Sequence, residues 1–199
     1  MENKNDLFFK GLDRIFLHIC CGPCAEWPVE FLYSKNIDIQ AYFYNPNIHP
    51  EIENKRRSKN AQKLMEIKNI PLIIDEDYLE EKWKTGTWED EKSRCRMCYQ
   101  IRMMKAAQAA KENGFTSFTT SLLVSPYQNF DAIVEAGFVA GRKEDIQFLP
   151  FDFRDGYRKG QEMAKNDGLY RQKYCGCIFS LESSFFKEKI LAEHEKLIL

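Results

Sequence analysis

The seven cysteines of this 199-residue chain stand in three short blocks, and this clustering constrains the fold more than any other feature of the sequence. The blocks are Cys20-Cys21-Gly22-Pro23-Cys24, Cys95-Arg96-Met97-Cys98 and Cys175-Gly176-Cys177. Thiols that only fill an apolar core would be scattered singly, whereas paired and tripled thiols are spaced as metal ligands or redox partners. We therefore expect a fold that brings three distant segments of the chain to one site.

The composition, with 44% apolar and 14% aromatic residues, is that of a globular protein and suits a single domain over residues 1–199. Residues 1–14 are polar and charged and lack the apolar core of a signal peptide. No apolar run approaches the roughly 20 residues that cross a bilayer, so we expect a cytoplasmic protein with no membrane partner. Structural disulfides are disfavoured in the cytoplasm, and an odd number of cysteines argues against a closed disulfide set. Metal binding or redox chemistry is the leading interpretation.

The formal net charge of −1 gives no overall attraction to nucleic acid, but basic residues gather beside all three cysteine blocks. If these residues share one face, they can bind RNA despite the near-neutral total. The alternative is an ordinary solvated surface. The basic residues are Lys55, Arg56, Arg57, Lys59, Arg94, Arg96, Arg102, Arg154, Arg158, Arg171 and Lys173.

Short apolar runs alternate with amphipathic segments along the chain. Strands are predicted over residues 15–19, 39–44, 72–74, 117–121 and 146–151. Helices are predicted over residues 28–36, 51–69, 78–84, 98–113, 130–141 and 156–166, with a C-terminal amphipathic helix over 181–199. The alternation predicts an α/β fold, with an open, mostly parallel sheet and helices on both faces. The first block would then follow the first strand, beyond the carboxyl ends of the strands, where such folds carry their sites. The second block would face the N-terminus of the helix that starts at Cys98.

The residues alone leave several kinds of thiol site open. Seven thiols exceed the four that a structural zinc or a [4Fe–4S] cluster needs. The Cys95-x-x-Cys98 segment suits zinc, iron–sulfur and thioredoxin-like sites alike, and the adjacent pair Cys20-Cys21 can reach one metal only if the strand ends in a turn. Both pairs together would make four sulfur ligands. Cys175-Gly-Cys177 suits a redox-active pair or a metal, and Cys24 is an auxiliary ligand or an idle thiol.

Five motifs between Ile15 and Ser180 carry a resemblance to a known family. They are His18-Ile-Cys-Cys-Gly-Pro-Cys24, Arg94-Cys-x-x-Cys-Tyr99, Thr119-Thr-Ser-Leu-Leu-Val-Ser-Pro126, Phe151-Asp-Phe-Arg154 and Tyr170-Arg-Gln-x-Tyr-Cys-Gly-Cys-x-Phe-Ser180. Together they resemble the cobalamin-independent epoxyqueuosine reductases of the QueH family.

This resemblance implies a fold similar to the nucleotide-binding α/β architecture of the PP-loop ATP pyrophosphatases. It also implies the reduction of epoxyqueuosine to queuosine at the wobble position of tRNA, with tRNA and an unidentified electron donor as partners. The ligands that it implies for a [4Fe–4S] cluster are Cys20, Cys21, Cys95 and Cys98. By the same resemblance, Cys175 and Cys177 form a redox-active pair. The sequence leaves open whether a second metal ion binds. The sequence itself shows no SGGxDS-type, GxGxxG or GxxxxGK[ST] phosphate loop, so ATP use has no visible basis.

Removing the oxygen of an epoxide takes two electrons and two protons, so the site needs both a reductant and an acid. Asp152 and Tyr174 are the candidate acids because they lie in the matching motifs. His18, inside the first strand, is a weaker candidate and is predicted to be a core histidine. His49 and His194 are expected to be solvated.

The modified base would have to leave the anticodon loop and stack on aromatic side chains. The aromatic candidates are Trp88, Tyr99, Tyr127 and Tyr170, and the candidates for phosphate contacts are Arg56, Arg57, Arg96, Arg154 and Arg171. Three rival functions would use the same thiols. They are a zinc-stabilised RNA-binding module, a metal-free thiol–disulfide oxidoreductase and a sulfur transferase on the PP-loop scaffold, the last disfavoured by the missing nucleotide loop.

Overall fold

The computed structural model describes residues 8–78, 83 and 90–198. The strands are β1 (Arg14–Ile19), β2 (Asp38–Phe43), β3 (Leu72–Ile74), β4 (Ser117–Thr120) and β5 (Gln147–Phe148). The helices bounded within the described residues are α1 (Gly22–Tyr33), α2 (Glu51–Lys68), α3 (Glu91–Glu112), α4 (Phe130–Glu144), α5 (Tyr157–Asn166), α6 (Ile178–Glu182) and α7 (Lys187–Ile198). Two short 3₁₀ helices cover Ser121–Val124 and Arg154–Gly156.

The five strands form one parallel sheet in the order β3-β2-β1-β4-β5. β1 is the central strand, and its residues from Ile15 to Ile19 are buried because both faces of the sheet are covered. After β1 the chain builds toward one edge of the sheet, and from β4 onward it builds toward the other. The change of direction lies between β1 and β4, where an open parallel sheet leaves a crevice beyond its carboxyl ends. The predicted α/β fold is confirmed.

The helices form two layers on the sheet, with α1 packed against α2 and α5, and α3 packed against α4. Small residues allow the close contact of α1 with the chain around α5. A Cβ on Gly156 would lie 2.0 Å from Trp27 Cε2, and one on Gly160 would lie 3.1 Å from Trp27 Cβ. None of the helices in the described part of the chain combines the length and apolarity that a membrane crossing requires.

Two helix starts differ from the prediction. α1 begins at Gly22 instead of Pro28, because Pro23 occupies its first turn and Pro28 lies inside the helix. α3 begins at Glu91 instead of Cys98, because Asp90 caps it: Ser93 N donates to Asp90 Oδ1 at 2.7 Å, and Asp90 N donates to Ser93 Oγ at 3.2 Å. The second cysteine block therefore lies inside the helix, and the prediction that it faces the helix N-terminus is wrong.

The C-terminal helix predicted over residues 181–199 is also interrupted. α6 ends at Glu182 and α7 begins at Lys187, with the exposed side chains of Phe185 and Phe186 between them. The helix predicted over residues 78–84 falls outside the described residues except for Tyr78 and Trp83.

Candidate thiol site

The first cysteine block forms a triad of thiols at the carboxyl end of β1. β1 ends at Ile19, and Cys21 has an extended backbone and caps α1, so that Cys24 lies in the first turn of the helix. The Sγ atoms of Cys20, Cys21 and Cys24 all lie within 4.8 Å of one another, which suits binding to a common metal centre. The turn that the adjacent pair needs is therefore present. Cys24, which the sequence left without a role, is part of the same group.

Gly22 brings this triad against α2. A Cβ on Gly22 would lie 2.9 Å from the carbonyl oxygen of Asn60. Asn60 in turn exchanges two hydrogen bonds of 2.9 Å with the backbone of Tyr170, as donor through Nδ2 and as acceptor through Oδ1. A close approach that glycine alone permits thus joins the first block, α2 and the segment leading to the third block.

The three thiols differ in pKa although they are neighbours. Hydrogen bonds from Cys21 and Cys24 hold the pKa of Cys20 well below its usual range, and the charge of Arg102 and the hydroxyl of Ser121 act in the same direction. Burial raises the pKa of Cys21, and hydrogen bonds to the other two thiols raise the pKa of Cys24. In the metal-free triad, negative charge is therefore favoured on Cys20.

The second block presents its thiols on one face of α3, because Cys95 and Cys98 are three residues apart. Burial raises the pKa of both thiols, to about 11 for Cys98. The guanidinium of Arg102, four residues after Cys98 on the same face, acts in the opposite direction. Among the described residues, the mutual spacing of 4.8 Å holds for the first block and does not extend to Cys95 and Cys98.

The third block is held by Arg57 of α2. Arg57 Nη1 donates to the carbonyl oxygen of Cys175 at 2.9 Å, and Nη2 donates to that of Tyr174 at 3.0 Å. Arg57 Nε donates to Glu53 Oε1 at 2.7 Å, and both side chains of this ion pair are buried. A buried cation therefore fixes the backbone that carries Cys175.

Gly176 gives the third block its turn. Its φ of +116° is a conformation that side chains rarely adopt, and a Cβ would lie 2.9 Å from Ile48 Cγ1 and 3.0 Å from Arg57 Nη1. His49 N donates to the Gly176 carbonyl oxygen at 2.7 Å. The loop after β2 and the third block are thus bonded directly to each other.

Cys175 and Cys177 are free thiols of unlike character. A hydrogen bond from Cys177 lowers the pKa of Cys175 to about 5, and Ser180 Oγ, 3.0 Å from Cys175 Sγ, contributes to this. The same hydrogen bond raises the pKa of Cys177. Cys175 is exposed and Cys177 is buried. An exposed thiolate beside a buried thiol is suited to thiol–disulfide exchange.

The C-terminal helix α7 covers this region from outside. His194 is buried, with its Nε2 2.9 Å from Glu53 Oε2. The prediction that His194 is solvated is therefore wrong. Glu193 forms ion pairs with Lys173 and, at 3.4 Å, with Arg56. The Glu53 carboxylate therefore links α2 to α7 as well as to the third block.

The other two histidines are also internal. His18 is the core histidine predicted from the sequence: its Nδ1 lies 2.8 Å from Thr120 Oγ1, and its Nε2 lies 3.1 Å from the Tyr44 carbonyl oxygen. Burial lowers the pKa of His18 to about 3, so the ring is neutral near pH 7. His49 is buried with its Nδ1 2.7 Å from the Tyr78 hydroxyl, and its predicted solvation is wrong because the third block packs over it.

The three blocks meet at one cavity of about 350 Å³, as their clustering in the sequence predicts. The cavity lies at the change of direction between β1 and β4, where Cys20 N donates to Ser121 Oγ at 3.1 Å. The thiols that line it are Cys20, Cys24, Cys95, Cys98, Cys175 and Cys177.

The two candidate acids are placed differently. Tyr174 lines the cavity, its hydroxyl donates to the His49 carbonyl oxygen, and burial raises its pKa. Asp152 Oδ1 accepts from Arg154 Nε at 2.8 Å, and Oδ2 accepts from Arg154 Nη2 at 2.6 Å. Asp152 is not among the described residues that line the cavity.

The aromatic candidates for base stacking are not equally accessible. Tyr99 is buried and its hydroxyl donates to Gln128 Oε1 at 2.8 Å, while the Tyr170 hydroxyl donates to the buried Glu53 carboxylate. Tyr127 lines the cavity and is 81% exposed. Trp88 lies outside the described residues.

The candidate residues for phosphate contacts also differ in burial and in their partners. Arg57 is buried and bonded within the protein, so its predicted phosphate contact is wrong. Arg154 is paired with Asp152, and the Arg56 guanidinium lies 3.3 Å from the centre of the Tyr170 ring. Arg96 and Arg171 are exposed.

Two supporting residues were not singled out by the sequence patterns. Gln172 Nε2 donates to Cys21 Sγ at 2.9 Å and to Cys24 Sγ at 3.5 Å. Glu53 is the shared acceptor of the buried network described above. The signal for Gln172 was its place inside the last motif, whereas Glu53 had none beyond its spacing of four residues from Arg57.

Comparison with known proteins is consistent with this geometry. A family model described as epoxyqueuosine reductase QueH matches residues 15–183. The epoxyqueuosine reductase QueH of Histophilus somni is 37% identical over 182 residues, covering 87% of this chain and 74% of that protein. The protein of the same name from Acinetobacter baylyi is 38% identical over 180 residues, covering 86% and 82% respectively.

A solved structure shares the fold. It is the U34-tRNA thiolase NcsA from Methanococcus maripaludis with its [4Fe–4S] cluster, which superposes with a TM-score of 0.52. The match covers 92% of this chain and 71% of the thiolase at 15% sequence identity. At this identity the likeness supports the α/β architecture alone.

Proposed function

The chain belongs to the QueH family of epoxyqueuosine reductases, and from that premise we propose that its thiol-lined cavity converts epoxyqueuosine to queuosine in tRNA by two-electron deoxygenation of the epoxide. The observation that carries the proposal is the meeting of all three cysteine blocks at one cavity. A cavity of about 350 Å³ suits one small, polar group rather than a double helix, so the modified base would enter it extruded from the anticodon loop.

The donor set of the cavity fits an iron–sulfur cluster. Thiolates are the protein ligands of such clusters, and the triad offers three sulfur atoms within 4.8 Å of one another. The ligands that we propose are Cys20, Cys21, Cys95 and Cys98, with Cys24 as an auxiliary ligand. When bound, the cluster would conduct electrons and offer a Lewis-acidic iron to the epoxide oxygen.

The third block would supply the two electrons of the reaction. Oxidation of the Cys175 thiolate and the Cys177 thiol to a disulfide releases two electrons and one proton; with one further proton from an acid, this balances the conversion of an epoxide to an alkene and water. The lowered pKa of Cys175 keeps this thiol ionised near pH 7. An external electron donor then restores the dithiol. Strain in so short a disulfide loop favours that reduction.

The proton for the departing oxygen comes from Tyr174 or Asp152 in this proposal. Tyr174 is the better placed, because it lines the cavity beside Cys175. Its raised pKa keeps the hydroxyl protonated at physiological pH, and to donate to the substrate the hydroxyl would have to leave the His49 carbonyl oxygen. Asp152 would first have to leave Arg154.

The tRNA contacts that the described residues offer surround the cavity. Tyr127 presents an exposed ring whose orientation is supported by Tyr157, with ring centres 5.9 Å apart. Arg96 and Arg171 are exposed cations on the segments that carry the second and third blocks. These three side chains are the ones that we propose for stacking and phosphate contact.

Two measurements test the proposal. Protein purified without oxygen should be brown and contain about four irons per chain. With a strong reductant it should convert epoxyqueuosine-containing tRNA to queuosine, detected by nucleoside mass spectrometry. Cys175→Ser should keep the cluster absorbance and lose turnover, whereas Cys98→Ser should lose both.

Two of the rival functions predict different results. A colourless protein with stoichiometric zinc would support the zinc-stabilised RNA-binding module. Turnover by protein freed of iron would support the metal-free dithiol enzyme. Loss of the cluster in Cys175→Ser would reassign that thiol as a ligand.

A further inference from the structure

Two arginines are buried beside the cavity, and they differ in their counter-charges. Arg57 is 2% exposed and donates to the Glu53 carboxylate at 2.7 Å. Arg102 is 4% exposed, and within residues 8–78, 83 and 90–198 no carboxylate forms an ion pair with it. The same chain thus neutralises one buried guanidinium with a carboxylate and leaves the other facing the cavity.

The hydrogen bonds of Arg102 do not compensate its charge. Its Nη2 donates to Asn45 Oδ1 at 2.5 Å, and Asn45 is a neutral side chain whose Nδ2 donates to the Ile19 carbonyl oxygen at 3.0 Å. Arg102 Nε is buried and has no hydrogen-bond partner among the described residues. A buried cation is strongly unfavourable unless an opposite charge lies near it. The inner wall of the cavity is therefore built for an anion.

The thiols are the groups that can carry that negative charge. Cys98 precedes Arg102 by one helical turn on the same face of α3. Cys20, across the cavity at the end of β1, also feels the charge of Arg102. All three side chains line the cavity.

We propose that Arg102 is the counter-charge of the thiolate site, stabilising the negative charge that Cys20 and Cys98 acquire when they bind a metal centre. The inference rests on the proposed function in taking that centre to be an iron–sulfur cluster. Four thiolates around such a cluster leave a net negative charge, and reduction adds to it. Arg102 therefore acts on the reaction through the ligands, by retaining the cluster and favouring its reduced state.

The test compares Arg102→Gln and Arg102→Lys with a charge-matched control on the same helix, Lys105→Gln. The Lys105 side chain is 39% exposed and pairs with Asp75 at 3.3 Å, outside the described lining of the cavity. Three properties are measured: the rate of iron loss to a chelator, the midpoint potential of the cluster, and the affinity of the metal-free protein for Cd²⁺, followed by its thiolate absorbance.

Compared with the wild type, Arg102→Gln should lose iron to the chelator at least about tenfold faster and bind Cd²⁺ at least about tenfold more weakly, because the anionic site has lost its buried cation. Its midpoint potential should become more negative. Arg102→Lys should retain most of each property, and Lys105→Gln should match the wild type. In the metal-free state, the thermal midpoint of Arg102→Gln should fall less than in the metal-bound state, because the thiols then carry less negative charge.

Two results overturn the inference. The first is that Arg102→Gln matches the wild type in its rate of iron loss, in the midpoint potential of its cluster and in its affinity for Cd²⁺. The other is a fall in the thermal midpoint that is as large without metal as with it, since Arg102 is then structural. Failure of the cluster proposal is distinct: if the wild type takes up no iron but Cd²⁺ binding depends on Arg102, the counter-charge stands and the cluster does not.

Discussion

Replacing Arg57 with glutamine is expected to destabilise the protein far more than the same change at its neighbour Arg56. Arg57 combines a buried ion pair of 2.7 Å to Glu53 with two hydrogen bonds to backbone carbonyl oxygens of the third block. Glutamine is shorter and uncharged, so the variant cannot replace all three bonds. The Glu53 carboxylate then remains buried with the Tyr170 hydroxyl at 3.2 Å and His194 at 2.9 Å as its partners.

The magnitude follows from these contacts. Breaking a buried ion pair by removing one partner costs about 3–5 kcal/mol, and a buried carbonyl left without a donor costs about 1–3 kcal/mol. The costs overlap, because the same relaxation admits water to all three groups. We expect the free energy of unfolding to fall by at least about 3 kcal/mol, a large part of the roughly 5–15 kcal/mol of a typical domain. The pair of Arg56 with Glu193 is partly exposed, so Arg56→Gln should cost about 1 kcal/mol.

Chemical denaturation of the metal-free proteins, followed by circular dichroism, measures both losses under identical conditions. A double-mutant cycle with Glu53→Gln isolates the ion pair, and the double variant should lose about 1–3 kcal/mol less than the sum of the single variants. If Arg57→Gln is no less stable than Arg56→Gln, or if the cycle shows no coupling, the buried pair does not hold the third block as described.

Gly176→Ala should impair turnover and cost about 1–3 kcal/mol because of its positive φ and close neighbours. Gly11→Ala, also at positive φ but with open surroundings, is its control, and equal losses would contradict the packing argument. Alkylation of Cys175 by iodoacetamide should stay fast down to about pH 5 and slow below it, because the thiolate reacts, whereas Cys98, with a pKa of about 11, should react slowly throughout. Parallel pH profiles for the two thiols would refute that assignment. Burial raises the pKa of Glu26 to about 7 from 4.5, so the stability due to its protonated form is lost as the pH rises through that interval. Glu26→Gln should therefore be more stable than the wild type at about pH 8 and show little gain at about pH 4; a gain independent of pH would count against the titration.

The sheet could be predicted from the sequence because its strands leave local signals. The apolar run from Ile15 to Ile19 is long enough to be recognised as a buried strand, and the intervening helices require parallel pairing. The starts of α1 and α3 were misplaced for a local reason as well. Pro23 and the reciprocal bonds of Asp90 and Ser93 mark those starts, and these capping signals outweigh the apolar periodicity.

The thiols of the candidate site could be predicted from the sequence, but the residues that hold them in place could not. The grouping of cysteines is visible in the sequence, and the parallel sheet explains why the blocks converge. The pair Glu53 and Arg57 has the spacing of an ordinary exposed pair on a helix surface. The Glu53–Arg57 pair is buried only because the third block and His194 of α7 pack over it, and such long-range contacts produce no periodic pattern in the sequence.

The third block is positioned by its main chain. Arg57 bonds to carbonyl oxygens, His49 N bonds to the Gly176 carbonyl, and Gly176 supplies the turn, so these contacts do not involve the sulfur atoms. These main-chain contacts would therefore remain if another chemical element replaced the sulfur of Cys175 or Cys177. Serine or selenocysteine at Cys175 would occupy the same place as the thiol, and a change in rate would then report the intrinsic reactivity of the atom rather than a displaced scaffold.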